Sequence, residues 1–516
     1  MNKKNFNIAS VINIGSNSLT MCTGQYTNGK IEILQELEYP MSLGKDTFST
    51  GRISFEKINK TCEILNKFIK SSTEYKVTKI KTVATTAVRE AQNKDYVVDQ
   101  IKLRTGLDVE VLDDSQEKTI IYKEIMRRLT EYKTYKNPAL MIYSGVGNLG
   151  ISFIDNGNIP FTTNIKIGSL RISEMFTSMY DFEEQYKIII ADYLRSFQET
   201  FLTVLPKGEF KHFVASGRQV PLIAQLCNAQ KLTERINYIQ VEDFIKLYNE
   251  IEEKSFEQIM EDYNISEENA ELLKYSMSIH SMLLSYTNAT KIILPDVFIE
   301  DALLFEQLRP KEAQIYNETF TENTIISAKT MAKRYNFDEE HAHFVEKYSL
   351  EIFDKMKNYH GLNKKDRLLL SVAAITHDVG KYINVVGHYN HSYEIIRSSE
   401  IVGLSSHDME IIANTTKYHS SYTPNMLDYN FNRLSYEDRM SVSKLTAILR
   451  LAEALDKGHI KKFDNIDVKI KNNTLTIGIS TLKNTQIEEW SFGIKSKYFE
   501  EVFGMKAVIK KKRVMQ

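Results

Sequence analysis

Near the start of the chain stands Val11-Ile12-Asn13-Ile14-Gly15-Ser16-Asn17-Ser18, which leads into a short strand and then into the turn Asn28-Gly29. A second segment repeats this order. It is Leu140-Met141-Ile142-Tyr143-Ser144-Gly145-Val146-Gly147, followed by residues 151–154 and the turn Asn156-Gly157. Each segment predicts a strand, a turn of small residues, a second strand and an Asn-Gly hairpin, which is the strongest short hairpin signal.

Two unrelated hairpins would produce the same pattern, but the repeated order favours a duplicated α/β domain. Its two glycine-containing turns would face each other across a cleft. Backbone N–H groups in such turns can bind phosphate oxygens. The candidate phosphate-binding residues of these turns are Gly15, Ser16, Asn17, Ser18, Gly145 and Gly147.

The composition is that of an ordinary folded protein. Of 516 residues, 42% are apolar and 26% are charged, with 66 basic and 67 acidic side chains. A net charge of −1 argues against bulk electrostatic binding to nucleic acid or to an anionic membrane, so neither is expected as a partner. Glycine (21) and proline (8) are sparse, which favours a high helix content.

A cytoplasmic location is expected. The three cysteines (Cys22, Cys62 and Cys227) lie far apart and form no CxxC motif, so they suggest neither a disulfide framework nor a zinc ribbon. Polar residues interrupt the N-terminal apolar run, which is not typical of a signal peptide. The longest apolar stretch elsewhere, residues 368–375, is too short to span a membrane.

The predicted secondary structure changes along the chain. Helical segments and strands, among them 213–215 and 291–294, are mixed up to about residue 308. From Glu312 to about Gly458 the pattern predicts nearly continuous helix, whereas residues 466–513 alternate in hydrophobicity and predict a small β-rich region.

Nine of the eleven histidines lie between His341 and His459, where even spacing would place two or three. Neutral imidazoles beside carboxylates are typical of metal sites. An apolar helix ends in His377-Asp378, with His341 before it and Asp456 after it, each on or next to an apolar helix. We interpret these four residues as metal ligands rather than as buried core residues.

Two further histidines, His391 and His419, are candidate ligands of a second ion, although a structural role is equally consistent with the pattern. Imidazoles with carboxylates suit Mn, Fe or Zn, and Mg is also possible. Lys381 either contacts phosphate or is simply a cation at a helix end. His407-Asp408 follows two serines and predicts the exposed first turn of a capped helix, and His343, His360 and His459 are predicted to lie on the surface.

Two resemblances follow from these motifs. The His341, His377-Asp378 and Asp456 set resembles that of the HD phosphohydrolase superfamily. Residues 8–513 resemble the exopolyphosphatase and guanosine pentaphosphate phosphohydrolase (Ppx/GppA) family. The matching stretches are Ile14-Gly15-Ser16-Asn17-Ser18, Val83-Ala84-Thr85-Thr86-Ala87-Val88-Arg89, Gln116-Glu117, Ile167-Gly168-Ser169-Leu170-Arg171 and Phe499-Glu500-Glu501-Val502-Phe503-Gly504.

The resemblance implies an α/β plus all-α architecture. Two actin-like, ribonuclease H-type α/β domains would occupy residues 1–125 and 126–310, a helical HD domain 311–463 and a small α+β domain 464–516. The family also implies a divalent metal (Mn, Fe or Mg) as cofactor, polyphosphate or a guanosine polyphosphate as the bound anion, and a homodimer. Glu117 matches the family's catalytic glutamate, and Arg89 matches a phosphate-binding arginine.

The chain departs from the family where that family holds Mg²⁺ with carboxylates. Asn13, Tyr143 and Gly150 stand in the places of two aspartates and a glutamate, and none of them supplies a negative charge. The resemblance therefore predicts a degenerate N-terminal cleft and an intact HD site.

Three hypotheses follow. In the first, hydrolysis takes place at the HD site, with Asp378 as a catalytic residue. In the second, it takes place in the N-terminal cleft with Glu117 as the base. In the third, the protein is a non-catalytic sensor that binds an anion.

Overall fold

A computed structural model describes residues 7–77, 79–132, 138–145, 147–176, 192–197, 209–463 and 465–511. The chain divides into two compact units, Met1–Phe320 and Thr321–Gln516. Among the described residues no helix is both long and apolar enough to cross a membrane. The start of the first predicted domain and the end of the last one lie outside the described residues. Arg513, the end of the predicted β-rich region, lies outside them as well.

The first sheet has five strands in the order β3-β2-β1-β4-β5. Strands β1, β2 and β3 form an antiparallel meander, and β4 and β5 run parallel to β1. Its strands are β1 (Asn7–Ile14), β2 (Ser18–Thr27), β3 (Lys30–Pro40), β4 (Lys79–Ala84) and β5 (Val109–Val111). Its helices are α1 (Leu43–Thr50), α2 (Phe55–Glu74), α3 (Thr86–Glu90), α4 (Lys94–Thr105) and α5 (Asp114–Tyr132).

The second sheet repeats this topology within a seven-stranded order, β10-β11-β12-β9-β6-β7-β8. Its strands are β6 (Ala139–Ser144), β7 (Leu149–Asp155), β8 (Asn158–Ile165), β9 (His212–Gly217), β10 (Gln230–Lys231), β11 (Ile236–Gln240) and β12 (Lys291–Pro295). Its helices are α6 (Ser169–Phe176), α7 (helical over 192–197), α8 (Val220–Leu226), α9 (Val241–Glu253), α10 (Phe256–Tyr263), α11 (Glu267–Leu284) and α12 (Ile299–Leu308).

The two meanders confirm the predicted duplication. Strand β6 pairs antiparallel with β7 and parallel with β9, as β1 does with β2 and β4. Both hairpins turn through two residues of positive φ, 49° and 82° at Asn28-Gly29 and 48° and 78° at Asn156-Gly157. These values are those of a type I′ turn, which asparagine and glycine tolerate best.

Helices dominate the rest of the chain. They are α13 (Pro310–Arg334), α14 (Glu339–Lys355), α15 (Lys357–His360), α16 (Lys364–Thr376), α17 (His388–Arg397), α18 (Ser406–Lys417), α19 (Tyr429–Asn432) and α20 (Tyr436–Leu455). A 3₁₀ turn, Val379–Tyr382, follows α16. The end is a three-stranded sheet of β13 (Ile466–Lys471), β14 (Thr474–Ile479) and β15 (Lys506–Lys511) with helix α21 (Gln486–Phe503).

The second unit has one continuous apolar core. It includes Ile352 of α14, Ala373 of α16 and Leu449 of α20, together with Ile477 and Phe499 of the terminal sheet and helix. The small C-terminal region is therefore packed into the same core as the helices that carry the histidines. The fold class predicted from the sequence, duplicated α/β followed by a helical region and a small β sheet, is confirmed.

Candidate functional site

The two glycine turns end strands β1 and β6 and are closed in the same way. Gly15 N donates to Ser18 O at 3.0 Å, and Gly145 N donates to Asn148 O at 2.9 Å. The predicted repeat therefore extends to the hydrogen bond within each turn. Strand register makes Asn13 the counterpart of Tyr143, since each stands two residues before the glycine of its turn.

The second turn lies against helices of the first sheet. A Cβ on Gly147 would stand 2.8 Å from the Phe48 ring and 2.9 Å from the Thr86 side chain, so only glycine allows this approach. In the first turn, the buried Oγ of Ser16 and Oδ1 of Asn17 have no hydrogen-bond partner among the described residues. The second turn thus packs against α1 and α3, and the first turn contains buried polar atoms without a partner among the described residues. We call the region of the two turns the N-terminal cleft.

Arg89 and Glu117 face each other in this cleft. The guanidinium donates to Glu117 at 3.0 Å, to Asp114 and to the Leu112 carbonyl oxygen at 2.8 Å. Asn148 of the second turn also donates to Asp114, at 2.7 Å. Burial would lower the pKa of Arg89, but the two carboxylates raise it above its ordinary value. The predicted phosphate-binding arginine is therefore already paired with acidic groups.

A further carboxylate, Glu300 at the start of α12, lies beside Asn13. The Asn13 amide donates to Glu300 at 3.0 Å, Thr20 donates to the same oxygen, and Arg218 lies 3.2 Å from it. Burial would raise the pKa of Glu300, but Arg218 and these hydrogen bonds hold it below its ordinary value. Sequence reasoning did not find this residue, because it lies 287 positions from Asn13.

Gly150 pairs with Tyr143 across β6 and β7 and has no room for a side chain. A Cβ there would lie 2.9 Å from Lys118 Cδ and closer still to the hydroxyl of Tyr122. The place in which the family has a glutamate is thus filled by two side chains of helix α5.

The second candidate site is built around Asp378, which is buried at the end of α16. Each surrounding histidine stands on or near a helix end that fixes its position. Four histidine Nε2 atoms lie near the Asp378 carboxylate, at 3.4 Å (His377), 3.3 Å (His388), 3.5 Å (His419) and 3.9 Å (His341). Lys381 donates to the same carboxylate. We call these four histidines and Asp378 the HD cluster.

Three of these histidines have the same tautomer. The Nδ1 atoms of His377, His388 and His419 lie 2.7, 3.0 and 2.6 Å from the carbonyl oxygens of Ala374, Val385 and Thr416. A carbonyl oxygen only accepts, so each Nδ1 carries the proton and each Nε2 presents a lone pair. A hydrogen bond from the other ring nitrogen to a carbonyl oxygen is typical of metal-ligating histidines.

Two of these lone pairs face each other. His388 Nε2 and His419 Nε2 are 3.2 Å apart, although both are acceptors. The buried Nε2 atoms of His341 and His377 make no hydrogen bond to a described residue. A positive ion would relieve this repulsion and satisfy these atoms, so the donor set fits a divalent metal.

His341 and Asp456 meet at the edge of the cluster. His341 Nδ1 donates to Asp456 at 2.8 Å, which directs its Nε2 towards Asp378. The other Asp456 oxygen accepts from Lys461 N at 3.1 Å. Asp456 thus contacts the cluster through His341. Direct ligation of an ion by Asp456, as the sequence suggested, stays a prediction.

Two further histidines, His388 and His459, lie at the cluster although the sequence did not indicate them as ligands. His388 Nε2 lies 3.3 Å from the Asp378 carboxylate. His391, three residues further along α17, is absent from the hydrogen bonds and ion pairs of the described residues, and its role as a ligand of a second ion stays a prediction. His459 is exposed, as predicted, and its ring stacks on that of His341 with the centroids 3.6 Å apart. His341, Asp378 and His459 form one possible ligand group, and His377, Asp378 and His419 form another.

His360 and Asp408 differ from the surface positions predicted for them. Both are buried: His360 Nε2 donates to the Phe353 carbonyl oxygen, and Asp408 completes the capping box that begins at Ser405. His407 lies in the first turn of α18, as predicted, and is largely exposed.

A buried frame holds the histidines in place. Ser392 Oγ donates to the His377 carbonyl oxygen at 2.7 Å and accepts from Gly380 N at 2.9 Å. From the C-terminal helix α21, Lys495 donates to the His419 carbonyl oxygen at 3.0 Å and pairs with buried Glu453.

Burial also sets the charges of the cluster. It lowers the pKa of His419 to about 4 and lowers that of His341, which keeps both rings neutral and able to ligate. His341 and His419 are therefore neutral imidazoles beside the Asp378 carboxylate.

Comparisons with known proteins agree with the fold. A model of the Ppx/GppA phosphatase family matches residues 24–310, and one of Ppx/GppA phosphatase domain III matches residues 325–495. The guanosine-5'-triphosphate,3'-diphosphate pyrophosphatase of Aliivibrio fischeri (strain ES114) is 19% identical over 478 residues, 91% of each chain. A bifunctional 3-dehydroquinate synthase/phosphatase of Fusobacterium nucleatum is 26% identical over 204 residues, 37% of this chain and 30% of that protein.

Among solved structures, an exopolyphosphatase from Cytophaga hutchinsonii has a TM-score of 0.50 at 17% identity. The match covers 59% of this chain and 98% of that one. At this identity the likeness concerns the fold alone.

Proposed function

Because the chain belongs to the Ppx/GppA phosphatase family, we propose that it is a divalent-metal-dependent phosphohydrolase that cleaves phosphoanhydride or phosphoester bonds at the HD cluster. The observation that carries this proposal is the convergence of Nε2 lone pairs on Asp378, above all the 3.2 Å between His388 and His419. A purely structural cluster would place a donor between such acceptors.

In this proposal His377, His388, His419 and Asp378 hold the ion, with His341 beside them. A divalent ion, when bound, supplies positive charge to phosphate oxygens and lowers the pKa of water. The preponderance of imidazole favours Mn, Fe or Zn over Mg, which prefers carboxylate and water ligands. Asp456 fixes the tautomer of His341, and Lys381, whose side chain is 36% exposed, can contact a phosphate oxygen.

The N-terminal cleft is, in this proposal, a binding site for an anionic ligand such as polyphosphate or a guanosine polyphosphate. Its carboxylates at the usual metal-holding places are replaced by Asn13, Tyr143 and Gly150. Homodimer formation stays a prediction from the resemblance.

A second candidate function places hydrolysis in this cleft, with Glu117 as the base. It is favoured by the buried Glu117–Arg89 pair and by Glu300, which brings a carboxylate next to Asn13. A general base contributes about 10²–10⁴-fold to a rate, so the two candidates predict large and opposite mutational effects.

The test is hydrolysis of inorganic polyphosphate and guanosine pentaphosphate by the full chain with Mn²⁺ or Mg²⁺. We expect Asp378→Ala to lose at least about 100-fold in kcat and Glu117→Gln to retain the wild-type rate. The exposed His343 lies on the same helix as His341, so His343→Ala is the control and should be neutral. The reverse pattern supports hydrolysis in the cleft, and ligand binding without turnover supports a sensor.

A direct test of the ligands uses two histidines of one helix. After dialysis against Mn²⁺ and removal of free ion, His388→Ala should lose bound metal, whereas His391→Ala should retain it. Equal metal content in both variants and the wild type would contradict the ligand set.

A further inference from the structure

The segment that carries His419 has no regular secondary structure of its own. Helix α18 ends at Lys417, and residues 418–422 belong to neither a helix nor a strand. We call residues 418–422 the His419 loop. Backbone carbonyl oxygens in such a loop lack the partners that a helix or a sheet would provide, and a buried carbonyl oxygen without a partner is costly. Other groups must therefore satisfy them.

Two buried cations from neighbouring helices do so. One nitrogen of Arg450, on α20, donates to three carbonyl oxygens of the His419 loop, those of Tyr418 (2.7 Å), Ser420 (2.6 Å) and Tyr422 (2.9 Å). Lys495, on α21, donates to the carbonyl oxygen of His419 itself, at 3.0 Å. Four of the five carbonyl oxygens of the loop are thus held by two side chains.

The charge of Arg450 is used on this backbone and not on a carboxylate. The residue is only 4% exposed, and its Nε makes no hydrogen bond to a described residue. Glu453, the acidic residue of α20 closest to it in sequence, pairs with Lys457 and Lys495 instead. Burial of a guanidinium costs free energy, and here the carbonyl oxygens of the His419 loop offset that cost.

The HD cluster needs such an anchor at His419. The Nε2 atoms of His388 and His419 are 3.2 Å apart and both are acceptors, so they repel each other until an ion lies between them. His388 is fixed by helix α17, which packs on Gly380. His419 stands in the loop, so its position depends on the side chains that hold the loop. Ligands held in place beforehand bind an ion more tightly, because no ordering cost remains.

The sign of the charge separates positioning from electrostatic attraction. Arg450 and Lys495 are cations, and cations on the backbone of a ligand loop repel a divalent ion. If Arg450 acted through its charge alone, its removal would strengthen the binding of the ion. If Arg450 acts by holding His419 in place, its removal weakens that binding.

We propose that Arg450 is a positioning residue of the HD cluster, which holds the His419 loop so that His419 Nε2 faces the ion. Lys495 shares this role, and through it the small C-terminal region contributes to the metal site. Tyr498 of the same helix lies beside the guanidinium, with its ring centroid 6.0 Å from Arg450 Cζ. The inference rests on the proposed function, because the ion is the one proposed there.

The test is a double-mutant cycle, measured as Mn²⁺ affinity of the full chain by titration. Arg450→Met should weaken Mn²⁺ binding about 10- to 100-fold, as loss of a group that orients a metal ligand does. In the His419→Ala background the same change should alter Mn²⁺ affinity by less than about 2-fold, because no ligand is left to position. A general loss of structure would instead weaken binding by the same factor in both backgrounds.

The visible absorption of bound Co²⁺ provides a second readout, because it depends on the number and arrangement of the ligands. Arg450→Met loaded with Co²⁺ should give the spectrum of His419→Ala and not that of the wild type. Arg439 is the matched control. It lies on the same helix, about 16 Å away, and donates to the carbonyl oxygens of Asn432 and Leu434. Arg439→Met should keep the wild-type Mn²⁺ affinity and Co²⁺ spectrum.

Each failure has its own meaning. If Arg450→Met does not fold, as judged by circular dichroism, Arg450→Lys replaces it in the cycle; its ammonium keeps the charge and three donors, so the loss of Mn²⁺ affinity should be smaller and should again vanish in His419→Ala. Unchanged or tighter Mn²⁺ binding in a folded Arg450 variant, or an equal loss in both backgrounds, would overturn the inference and leave the proposed function intact. If the wild type itself binds no Mn²⁺, the proposed function fails and the inference fails with it.

Discussion

Gly380 is the position at which a single methyl group should disturb the HD cluster most. A Cβ there would lie 2.8 Å from Ser392 Oγ, and closer still to the His388 carbonyl oxygen and the Ser392 amide nitrogen. Ordinary van der Waals contact is near 3.5 Å. Two of the three atoms belong to the backbone of helix α17, so rotation of a side chain cannot relieve the overlap. In Gly380→Ala the helix must move by about 1 Å, and His388 must move with it.

The loss of stability expected in Gly380→Ala has two parts. Overpacking of a buried contact costs about 1–3 kcal/mol, and loss of the Ser392 hydrogen bonds to Gly380 and His377 costs about 1 kcal/mol each. We therefore expect Gly380→Ala to lower the free energy of unfolding by about 3–5 kcal/mol. Displacement of groups that orient metal ligands typically weakens metal binding 10- to 100-fold, so Mn²⁺ affinity should fall by about that factor.

Urea denaturation and Mn²⁺ titration measure the two effects, and Gly493→Ala is the matched control. Gly493 lies in helix α21 with no atom within 4 Å of the position of a Cβ, so alanine there should stabilise the protein by about 0.5–1 kcal/mol. If Gly380→Ala has the same free energy of unfolding and the same Mn²⁺ affinity as the wild type, the steric reasoning is wrong. Destabilisation with unchanged Mn²⁺ affinity would refute the role of α17 in placing a ligand.

Three further predictions concern buried groups. Lys495→Met removes the partner of Glu453 and the donor to His419 O, and should weaken Mn²⁺ binding about 10-fold or more in titration; undiminished affinity would contradict this positioning role. Gly150→Ala should lower the urea midpoint by the equivalent of about 1–3 kcal/mol, and an unchanged midpoint would mean that Lys118 and Tyr122 yield freely. Burial lowers the pKa of His280 to about 4, below its ordinary 6.5, so the unfolded chain binds this proton more readily. As pH falls from 6.5 to 4, His280 should cost about 3 kcal/mol of stability, and His280→Asn should show a smaller loss than the wild type.

The fold could be predicted from local signals. A type I′ turn needs positive φ at both central residues, and Asn-Gly is the pair that provides this most cheaply, so both hairpins are visible in the sequence. The same turns end strands that occupy equivalent places in the two sheets, which explains why a repeated short pattern predicted a repeated topology.

Which histidine of α17 contacts Asp378 could not be predicted from the sequence. His388 and His391 lie three residues apart, nearly on the same helical face. Their difference depends on where α17 begins, after Gly387 with φ of 72°, and on how closely it packs on Gly380. The position of His459 likewise depends on an unusual backbone, since its φ is 51°. A signal was present in Gly380 itself, because a glycine two residues after Asp378 is consistent with close approach of another segment.

The charges of the N-terminal cleft could be predicted only in part. Asn13, Tyr143 and Gly150 show that three positions lack a carboxylate, but they do not show which other residues the fold brings to the site. Glu300 places a carboxylate beside Asn13 from the other end of the unit. The loss of an acidic residue at one position therefore does not by itself remove negative charge from the cleft.

The pairing of charges in the cleft constrains how it can bind a phosphate. Arg89 is held by Asp114 and Glu117, and Arg218 is held by Glu300, so neither arginine carries uncompensated charge. A phosphate that takes Arg89 leaves two carboxylates without their partner, which is costly in a buried site. A cation that enters with the phosphate restores the balance, because it can pair with the released carboxylates while the phosphate pairs with the arginine. An anion bound in this cleft should therefore enter together with a cation, even though the three familiar carboxylate positions are occupied by other residues.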